Sequence, residues 1–555
     1  MAFRVQDICD DAARERPDSL ALVDDTGKRQ LTWRDLDERA DRVATALAAD
    51  GVRRGDRVTY LDLNRLEFFE LLFGCLRVGA VLAPLNWRLT PAELGLIVAD
   101  AGARVLVVGE RFTPALVSIR AAAPQLHRVA VITTPEGVDE GAGEAAGDGE
   151  GYEQWLAAAP ARQPGAADAA ADARSADDSA DDAANDADAR ATDDAVVLQL
   201  YTSGTTGLPK GVLLSQRNFA TLTTNDTGWD MGPESVSLVA MPLFHIGGAG
   251  WALAGMIREA ASVVVAEIEP RRLLDTLEQQ RVTHTFLVPA VLAMLAAVPG
   301  AAERDLSALR CVVYGASPIT GAVLERSLTT LGAPHYQVYG LTETTGAITQ
   351  LDASDHDPGG PRAHLLRSAG RPYPWVELMT VEPSTGQPTG PGQVGEVWVR
   401  SDQVTGGYWN KPEESAAVLP GEGWFRSGDA GYLDEEGFLF LTDRIKDMIV
   451  TGGENVYPIE VEDALAAHPA VADVAVIGVP DERWGETVKA IVVRQPGVEV
   501  TAGELLSFAQ ERLAGFKRPR SVDFVDVLPR NPTGKLLKKV LREPFWAGRE
   551  GRLIG

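Results

Sequence analysis

Strand-length apolar runs alternate with segments whose apolar residues recur at helical spacing along most of this chain. A chain so patterned buries both faces of its strands by forming mostly parallel sheets covered by helices. Leu31–Ala48 carries the helical spacing, with Thr32 placed to cap it. Strand-like runs follow at Arg57–Leu61, Arg104–Val108 and Val129–Thr133. The pattern resumes with a helix over Leu273–Gln280 and strands over Thr283–Val288 and Arg310–Tyr314. From about Asp443 the units shorten, through Val471–Gly478 and Val488–Val493, which predicts a separate small α+β domain at the C-terminus. At 555 residues the chain exceeds what one core can hold, and its 45% hydrophobic content is that of a folded protein.

Charge is spread unevenly. Of a formal net charge of −27, a net of −14 falls between Glu136 and Asp194, where 17 Asp or Glu face 3 Arg. The apolar residues there are nearly all alanine, too small to offset the entropy of ordering. Residues 136–195 are therefore expected to be a disordered insertion or linker, with an acidic interaction segment as the alternative. The acidic balance argues against nucleic acid or an anionic membrane surface as partners. The longest apolar runs, such as Ala261–Ala266, fall short of the roughly 20 residues of a membrane span. No basic segment leads into an apolar one at the N-terminus, so a cytoplasmic protein without a signal peptide is expected. Cys9, Cys75 and Cys311 have neither disulfide nor metal-ligand spacing.

Four clusters carry chemistry. Tyr201-Thr-Ser-Gly-Thr-Thr-Gly-Leu-Pro-Lys-Gly-Val212 sets three glycines, four Ser or Thr hydroxyls and Lys210 directly after the apolar run Val196–Leu200. Glycines let backbone N–H groups approach phosphate oxygens, hydroxyls add donors or a metal ligand, and the lysine adds positive charge. The loop lacks the Gly-Lys-Ser/Thr of the common P-loop, so a nucleotide is expected without the usual NTPase, a plain surface turn being the alternative. Tyr339-Gly-Leu-Thr-Glu-Thr-Thr-Gly346 ends a strand-like run and offers a ring for a base and a carboxylate beside hydroxyls for magnesium. In Trp424-Phe-Arg-Ser-Gly-Asp-Ala-Gly-Tyr432, Asp429 suits the two hydroxyls of a ribose, with Arg444 as a further donor. The fourth cluster, Pro529–Lys535, presents a lysine on a Pro/Gly-constrained loop.

Taken in this order, the four clusters resemble the adenylate-forming superfamily of acyl-CoA synthetases, aryl-CoA ligases, luciferases and peptide-synthetase adenylation domains. The likeness covers nearly the whole chain apart from the acidic stretch, and Met448–Glu462 is most similar to the fatty-acid and aryl CoA ligase branch. It implies an α/β fold with a large N-terminal domain, residues 1–443, and a small mobile C-terminal domain, 450–555, joined by a hinge at 444–449 that turns at Lys446. It also implies an AMP-forming acid–thiol ligase. A carboxylate attacks the α-phosphate of ATP to give an acyl-adenylate and pyrophosphate, and the thiol of coenzyme A then displaces AMP.

On this likeness Thr202, Ser203, Gly204, Thr205, Thr206, Gly207 and Lys210 would hold the β- and γ-phosphates, and Glu343 with Thr202 would bind Mg2+. Tyr339 would pack on adenine near Gly315, Ala316, Gly340 and Thr342, while Asp429 and Arg444 would hold the ribose. Lys535 would set its charge against the carboxylate and the α-phosphate, which makes Lys535, Glu343 and Thr202 the expected catalytic residues. A swing of the small domain would then bring Gly452, Gly453 and Glu454 to the acyl site, where a pantetheine arm must pass close to backbone. Lys517, Arg518 and Arg520, or the group Lys535, Lys538, Lys539 and Arg542, would bind the CoA nucleotide, a solvated basic face being the alternative. Ser427 stands where many relatives have Thr, and the hydroxyl is retained.

Met241-Pro-Leu-Phe-His-Ile-Gly-Gly248 resembles the segment that opens the family's acyl pocket. His245 stands where amino-acid-activating relatives usually carry an Asp for the substrate's ammonium group, so an amino acid is disfavoured. His245 itself either gates the pocket or is a packed side chain. Gly248, Gly250, Trp251 and the turn Tyr314–Pro318, with Gly315, are apolar or small and predict a hydrophobic acid: a fatty acid first, a cinnamate- or benzoate-type acid second. A non-catalytic regulatory relative is the rival from another class, and acetylation of Lys535 is a further hypothesis. The expected partners are the small-molecule carboxylic acid, ATP and CoA, with no nucleic acid, no integral membrane segment and, as one option, a second copy in a homodimer.

Overall fold

The computed structural model describes residues 4–133, 149–159, 194–202, 209–224, 226–317, 319–444, 447–451, 454–481, 483–530 and 536–546. The acidic residues 134–148 and 160–193, the loop 203–208, Lys446, Gly452, Gly453 and Lys535 lie outside the described residues. Of Arg444 and Glu454 only the backbone is described.

The chain forms two compact units. The first takes in Met1–Ile348, Asp352–Pro358 and Ser401–Gly423, and the second Thr349–Leu351, Gly359–Arg400 and Trp424–Gly555. The change of character at Asp443 falls inside the second unit.

The first unit holds the parallel sheets that the alternation predicts. One sheet runs, edge to edge, through Glu150–Gly151, Arg128–Ile132, Val105–Gly109, Arg57–Leu61, Val81–Pro84, Val196–Thr202 and Lys210–Ser215, the last pair antiparallel. Another runs through His335–Leu341, Cys311–Gly315, His284–Leu287, Val236–Val239, Ala261–Val264, Leu20–Asp24 and Gln30–Thr32, again with an antiparallel last pair. Every residue of Val105–Gly109 is buried, as a strand covered on both faces requires. The helix Trp33–Ala49 starts where Thr32 predicts: its hydroxyl accepts from Asp35 N, and the Asp35 carboxylate accepts from Thr32 N at 2.9 Å. It lies so close to Glu67–Arg77 that a Cβ on Gly74 would stand 2.4 Å from a Val43 methyl. Cys9, Cys75 and Cys311 are buried free thiols.

The expected disordered stretch needs one correction. Within 136–195, residues 149–159 are folded: Glu150–Gly151 pairs with Arg128–Ile132, and the helix Tyr152–Ala158 buries Tyr152, Trp155 and Leu156. An average over an alanine-rich stretch hides these two aromatic rings and a leucine, which supply the apolar area that alanine lacks. Polar ties add to it, from Trp155 Nε1 to Asp50 at 2.8 Å and from the Tyr152 hydroxyl to the fully buried Glu70 at 3.0 Å.

The second unit is built on antiparallel pairing. Glu377–Val381, Gly395–Arg400, Trp424–Leu433 and Leu439–Arg444 form one sheet. The hairpin Val471–Asp481/Gly485–Arg494 centres another, flanked by Ile449–Thr451 and by the parallel strand Ser521–Phe524. The helices Pro458–Ala466 and Ala502–Gln510 bury Val461, Leu465, Leu505 and Ala509 in the core of this second sheet. No described helix is long and apolar enough to cross a membrane.

Candidate active site

The strands Val196–Thr202 and Lys210–Ser215, on either side of the glycine-rich loop in sequence, pair antiparallel in a register that sets Thr202 opposite Lys210. A polar chain fixes the base of this pair. Arg57 Nε donates to Gln199 Oε1 at 3.0 Å, Gln199 Nε2 to the Tyr201 hydroxyl at 2.8 Å, and that hydroxyl to Asp100 at 2.7 Å. Burial first, and then Asp100, push the Tyr201 phenol's pKa well up, so it stays a donor. The Arg57 guanidinium in turn lies 3.4 Å from the centre of the Trp409 ring. Ser203, Gly204, Thr205, Thr206 and Gly207 are outside the described residues.

The strand His335–Leu341 runs three residues past Val338, so Tyr339 and Gly340 lie in the strand and the turn begins at Thr342. Gly340 is required by close approach, since a Cβ there would stand 1.8 Å from Gly346 O. The turn Thr342–Thr344 is tied by the Thr344 hydroxyl, which accepts from Leu341 N and lies 2.8 Å from Gly346 O, and by Thr345 Oγ1 donating to Gln403 O at 2.7 Å. Thr345 takes a left-handed backbone, φ +54°, a strained setting for a β-branched residue. Glu343 is thereby presented on a rigid turn. Its carboxylate accepts from the Tyr408 hydroxyl at 2.9 Å, and its carbonyl from Thr405 N at 2.8 Å.

Tyr408 is the residue that sequence reasoning missed. Lys210 Nζ lies 5.0 Å from the centre of its ring, so the one tyrosine faces the lysine of the first cluster and the carboxylate of the second. Its segment is laced onto that strand pair, Leu213 N donating to Gly407 O at 3.1 Å and Trp409 N to Gly211 O at 2.7 Å. The available signal was Gly406-Gly407-Tyr408-Trp409, two glycines that let backbone approach next to two rings.

The Glu343 carboxylate and the Thr202 hydroxyl are hard oxygen donors, and no group of three or more His, Cys, Asp or Glu that could hold a metal occurs among the described residues. One carboxylate fits Mg2+, which takes most of its remaining ligands from water and phosphate, and does not fit a dedicated protein cage.

In the segment Met241–Gly248 the Phe244 ring has the Arg88 guanidinium 5.8 Å from its centre. His245 caps the helix Ile246–Ile257 without a side-chain cap bond, and its ring packs 4.6 Å from that of Phe244. Burial first, and then the Arg88 cation, push its pKa down to about 4, so the imidazole is neutral near pH 7. Gly248 is demanded by packing, because a Cβ would meet Pro242 O at 2.2 Å; Gly250 has only the Ile246 side chain nearby, at 3.1 Å. Trp251 donates to Leu238 O at 3.0 Å and lies among Trp229 and Phe286, with ring centres at 5.4 and 6.2 Å. A Cβ on Gly315 would stand 2.2 Å from Val338 O, and Ala316 is left-handed at φ +66°. Tyr314 anchors this strained turn: His356 Nδ1 faces Asp352 O at 2.8 Å and must donate there, so Nε2 accepts from the Tyr314 hydroxyl at 2.9 Å.

In the second unit Asp429 is nearly buried and lies across the strand pair from Arg444. The Ser427 hydroxyl accepts from Asp429 N at 3.0 Å, which accounts for keeping a hydroxyl there. The basic clusters are largely engaged. Lys517 pairs with Glu460 at 2.7 Å, Lys538 with Glu462 at 2.9 Å, and Arg542 with Asp447, while Arg518 Nε donates to Leu513 O at 2.8 Å. Arg520 and Lys539 are exposed.

Residues 9–409 match the AMP-binding enzyme family, and residues 460–535 match the AMP-binding enzyme C-terminal domain. The chain is 38% identical over 523 residues to a fatty acid–[acyl-carrier-protein] ligase of Streptomyces coeruleorubidus, covering 93% of this chain and 92% of that one. It is 38% identical over 538 residues to a feruloyl-CoA synthase of Amycolatopsis sp, covering 96% and 97%. Among solved structures, ATP-bound MatB from Rhodopseudomonas palustris superposes with a TM-score of 0.82 at 28% identity, over 98% of this chain and 99% of that one.

Proposed function

The chain belongs to the AMP-binding enzyme family and is an AMP-forming ligase, and on that premise we propose that it joins a fatty acid to coenzyme A through an acyl-adenylate. In the first step a carboxylate oxygen of the acid attacks the α-phosphorus of ATP and pyrophosphate leaves. In the second the CoA thiol attacks the acyl carbonyl and AMP leaves, the thiol proton passing to solvent. Thr202, Lys210 and the loop between them grip the departing pyrophosphate, with Lys210 held over the Tyr408 ring. Glu343, steadied by Tyr408, would hold Mg2+, which when bound neutralises charge on the phosphates. Tyr339, Gly340, Thr342, Gly315 and Ala316 form the adenine side, and Asp429 with Arg444 takes the ribose. Lys535 serves adenylation only, turning away about Lys446 while Gly452, Gly453 and Glu454 admit the pantetheine.

The observation that carries the choice of acid is the neutral His245 beside Phe244, at the head of a helix that is apolar throughout. It offers no carboxylate to an ammonium, which disfavours an amino acid and suits an apolar chain. A second reading, an aromatic acid, is favoured by the Trp229, Trp251 and Phe286 rings, a wall on which a flat ring stacks. Pyrophosphate release across fatty acids of increasing length and across cinnamates and benzoates decides between them. The fatty-acid reading fails if kcat/KM is highest for an aromatic acid. The ligase reading fails if no carboxylic acid releases pyrophosphate, and Lys535→Ala should abolish that release while sparing thioester formation from supplied acyl-adenylate.

A further inference from the structure

Asn64 belongs to none of the four clusters and lies in the loop between the strand Arg57–Leu61 and the helix Glu67–Arg77. It is buried, and its side chain spends its whole donor capacity on backbone of the other sheet's strand ends. Nδ2 donates to Met241 O at 3.0 Å and to Val265 O at 3.1 Å, and Oδ1 accepts from Leu243 N at 3.0 Å. Met241 and Leu243 flank Pro242, which has no N–H of its own. The Asn64 amide thus pairs with this segment as a peptide group of a neighbouring strand would. From the other side Gly248 closes on the same turn, leaving no room for a Cβ against Pro242 O at 2.2 Å or Met241 O at 2.5 Å. His245 N donates to Pro242 O at 3.0 Å, so the place of the helix that carries Trp251 follows from where this turn stands. Asn64 is itself fixed from below, by the Tyr60 hydroxyl on Leu63 O at 2.9 Å and by Asp62 on Leu63 N at 2.7 Å.

The geometry points to Asn64 as a positioning residue that sets the mouth of the acyl pocket and thereby the choice of acid. This rests on the reading of Met241–Gly248 as the opening of that pocket. Asn64 touches no reacting atom; it acts through the Met241–His245 turn, at the carboxyl ends of parallel strands where open α/β sheets bind ligands.

Asn64→Asp keeps the shape and the acceptor but removes both donors, leaving two buried carbonyls against a carboxylate. Pyrophosphate release should show the KM for the acid rising on the order of 10-fold and the ratio of kcat/KM between long and short acids changing, with the KM for ATP held within about 2-fold. General destabilisation would lower Tm and move both KM values together without altering the ratio between acids. Asn64→Ser, which keeps one donor, gives the same readout if the Asp variant fails to fold. Trp251→Ala separates the two ideas. If it alters the acid profile and the Asn64 variants do not, the positioning role is overturned and the pocket reading stands. If neither alters the profile, both fall.

Discussion

In the first unit Lys210 meets the ring of Tyr408 and has no ion-pair partner among the described residues, whereas in the second Lys517, Lys538 and Arg542 are each held by a carboxylate. An aromatic face holds a cation without neutralising it, as the phosphate role proposed for Lys210 requires, where a carboxylate would not. Lys210 departs from its own unit as well, where Arg39, Arg77 and Arg128 are each held by carboxylates. Some buried side-chain atoms have no hydrogen-bond partner. Among the described residues they belong to Trp33, Asp62, Arg65, Glu67, Ser237, Ser262 and Thr285 in the first unit and to Thr442 in the second, the Asp62 and Arg65 atoms meeting each other as an ion pair at 2.6 Å.

Glu343→Ala should show the largest effect. Removing the carboxylate that faces Tyr408 should cut pyrophosphate release by about 10²- to 10³-fold with little change in Tm, and a loss below about 10-fold would place the chemistry elsewhere. Lys538→Met comes next, because it takes the cation away from the nearly buried Glu462, whose carboxylate keeps the Val476 N–H at 2.7 Å; chemical unfolding should show a loss of about 3 kcal/mol, mostly recovered in Lys538→Met with Glu462→Gln. If the single variant weakens CoA binding and leaves stability untouched, the lysine is not the structural cation described above.

Asp62 yields a pH test. Burial raises its carboxyl pKa to about 6, against Arg65 and the Leu63 N–H, which lower it. A raised folded-state pKa means that ionisation disfavours the fold, so stability falls as pH rises from about 4 to 6 and the penalty is complete above that, on the order of 2–3 kcal/mol. Asp62→Asn should therefore gain Tm over the natural protein more at pH 8 than at pH 4.5, and an equal difference at both would remove Asp62 as its source. Tyr408→Phe keeps the ring under Lys210 but loses the bond to Glu343, and should lower kcat for adenylation by about 5-fold. The smallest effect belongs to Lys517→Met, whose pair with Glu460 is part-exposed: below about 0.5 kcal/mol in stability, with the KM for CoA unchanged. A large rise in that KM would return Lys517 to the CoA site.

What was legible in the chain is what depends on local pattern. The cap at Thr32, the strand Arg57–Leu61 and the apolar run Val196–Leu200 ahead of the glycine-rich loop all follow from residues a few positions apart. Tyr408 and Asn64 were not legible, because their partners lie 65 and 177 positions away, at Glu343 and Met241, and no periodicity reports such a meeting. Residues 149–159 were misread for the opposite reason, local composition outweighing three large side chains. The engagement of Lys517 and Lys538 needed the fold as well, since Glu460 and Glu462 are remote in sequence and become neighbours only in the folded unit.

The segment that delivers Tyr408 has a further consequence. Lys210–Ser215 ends its sheet, and a bare terminal strand offers a row of N–H and C=O groups on which another chain can add. Gly407, Tyr408 and Trp409 occupy that row at Gly211, Val212 and Leu213. Shortening or loosening this segment should therefore expose an adhesive seam as well as unseat Glu343, so that self-association and loss of adenylation would arise together from one lesion.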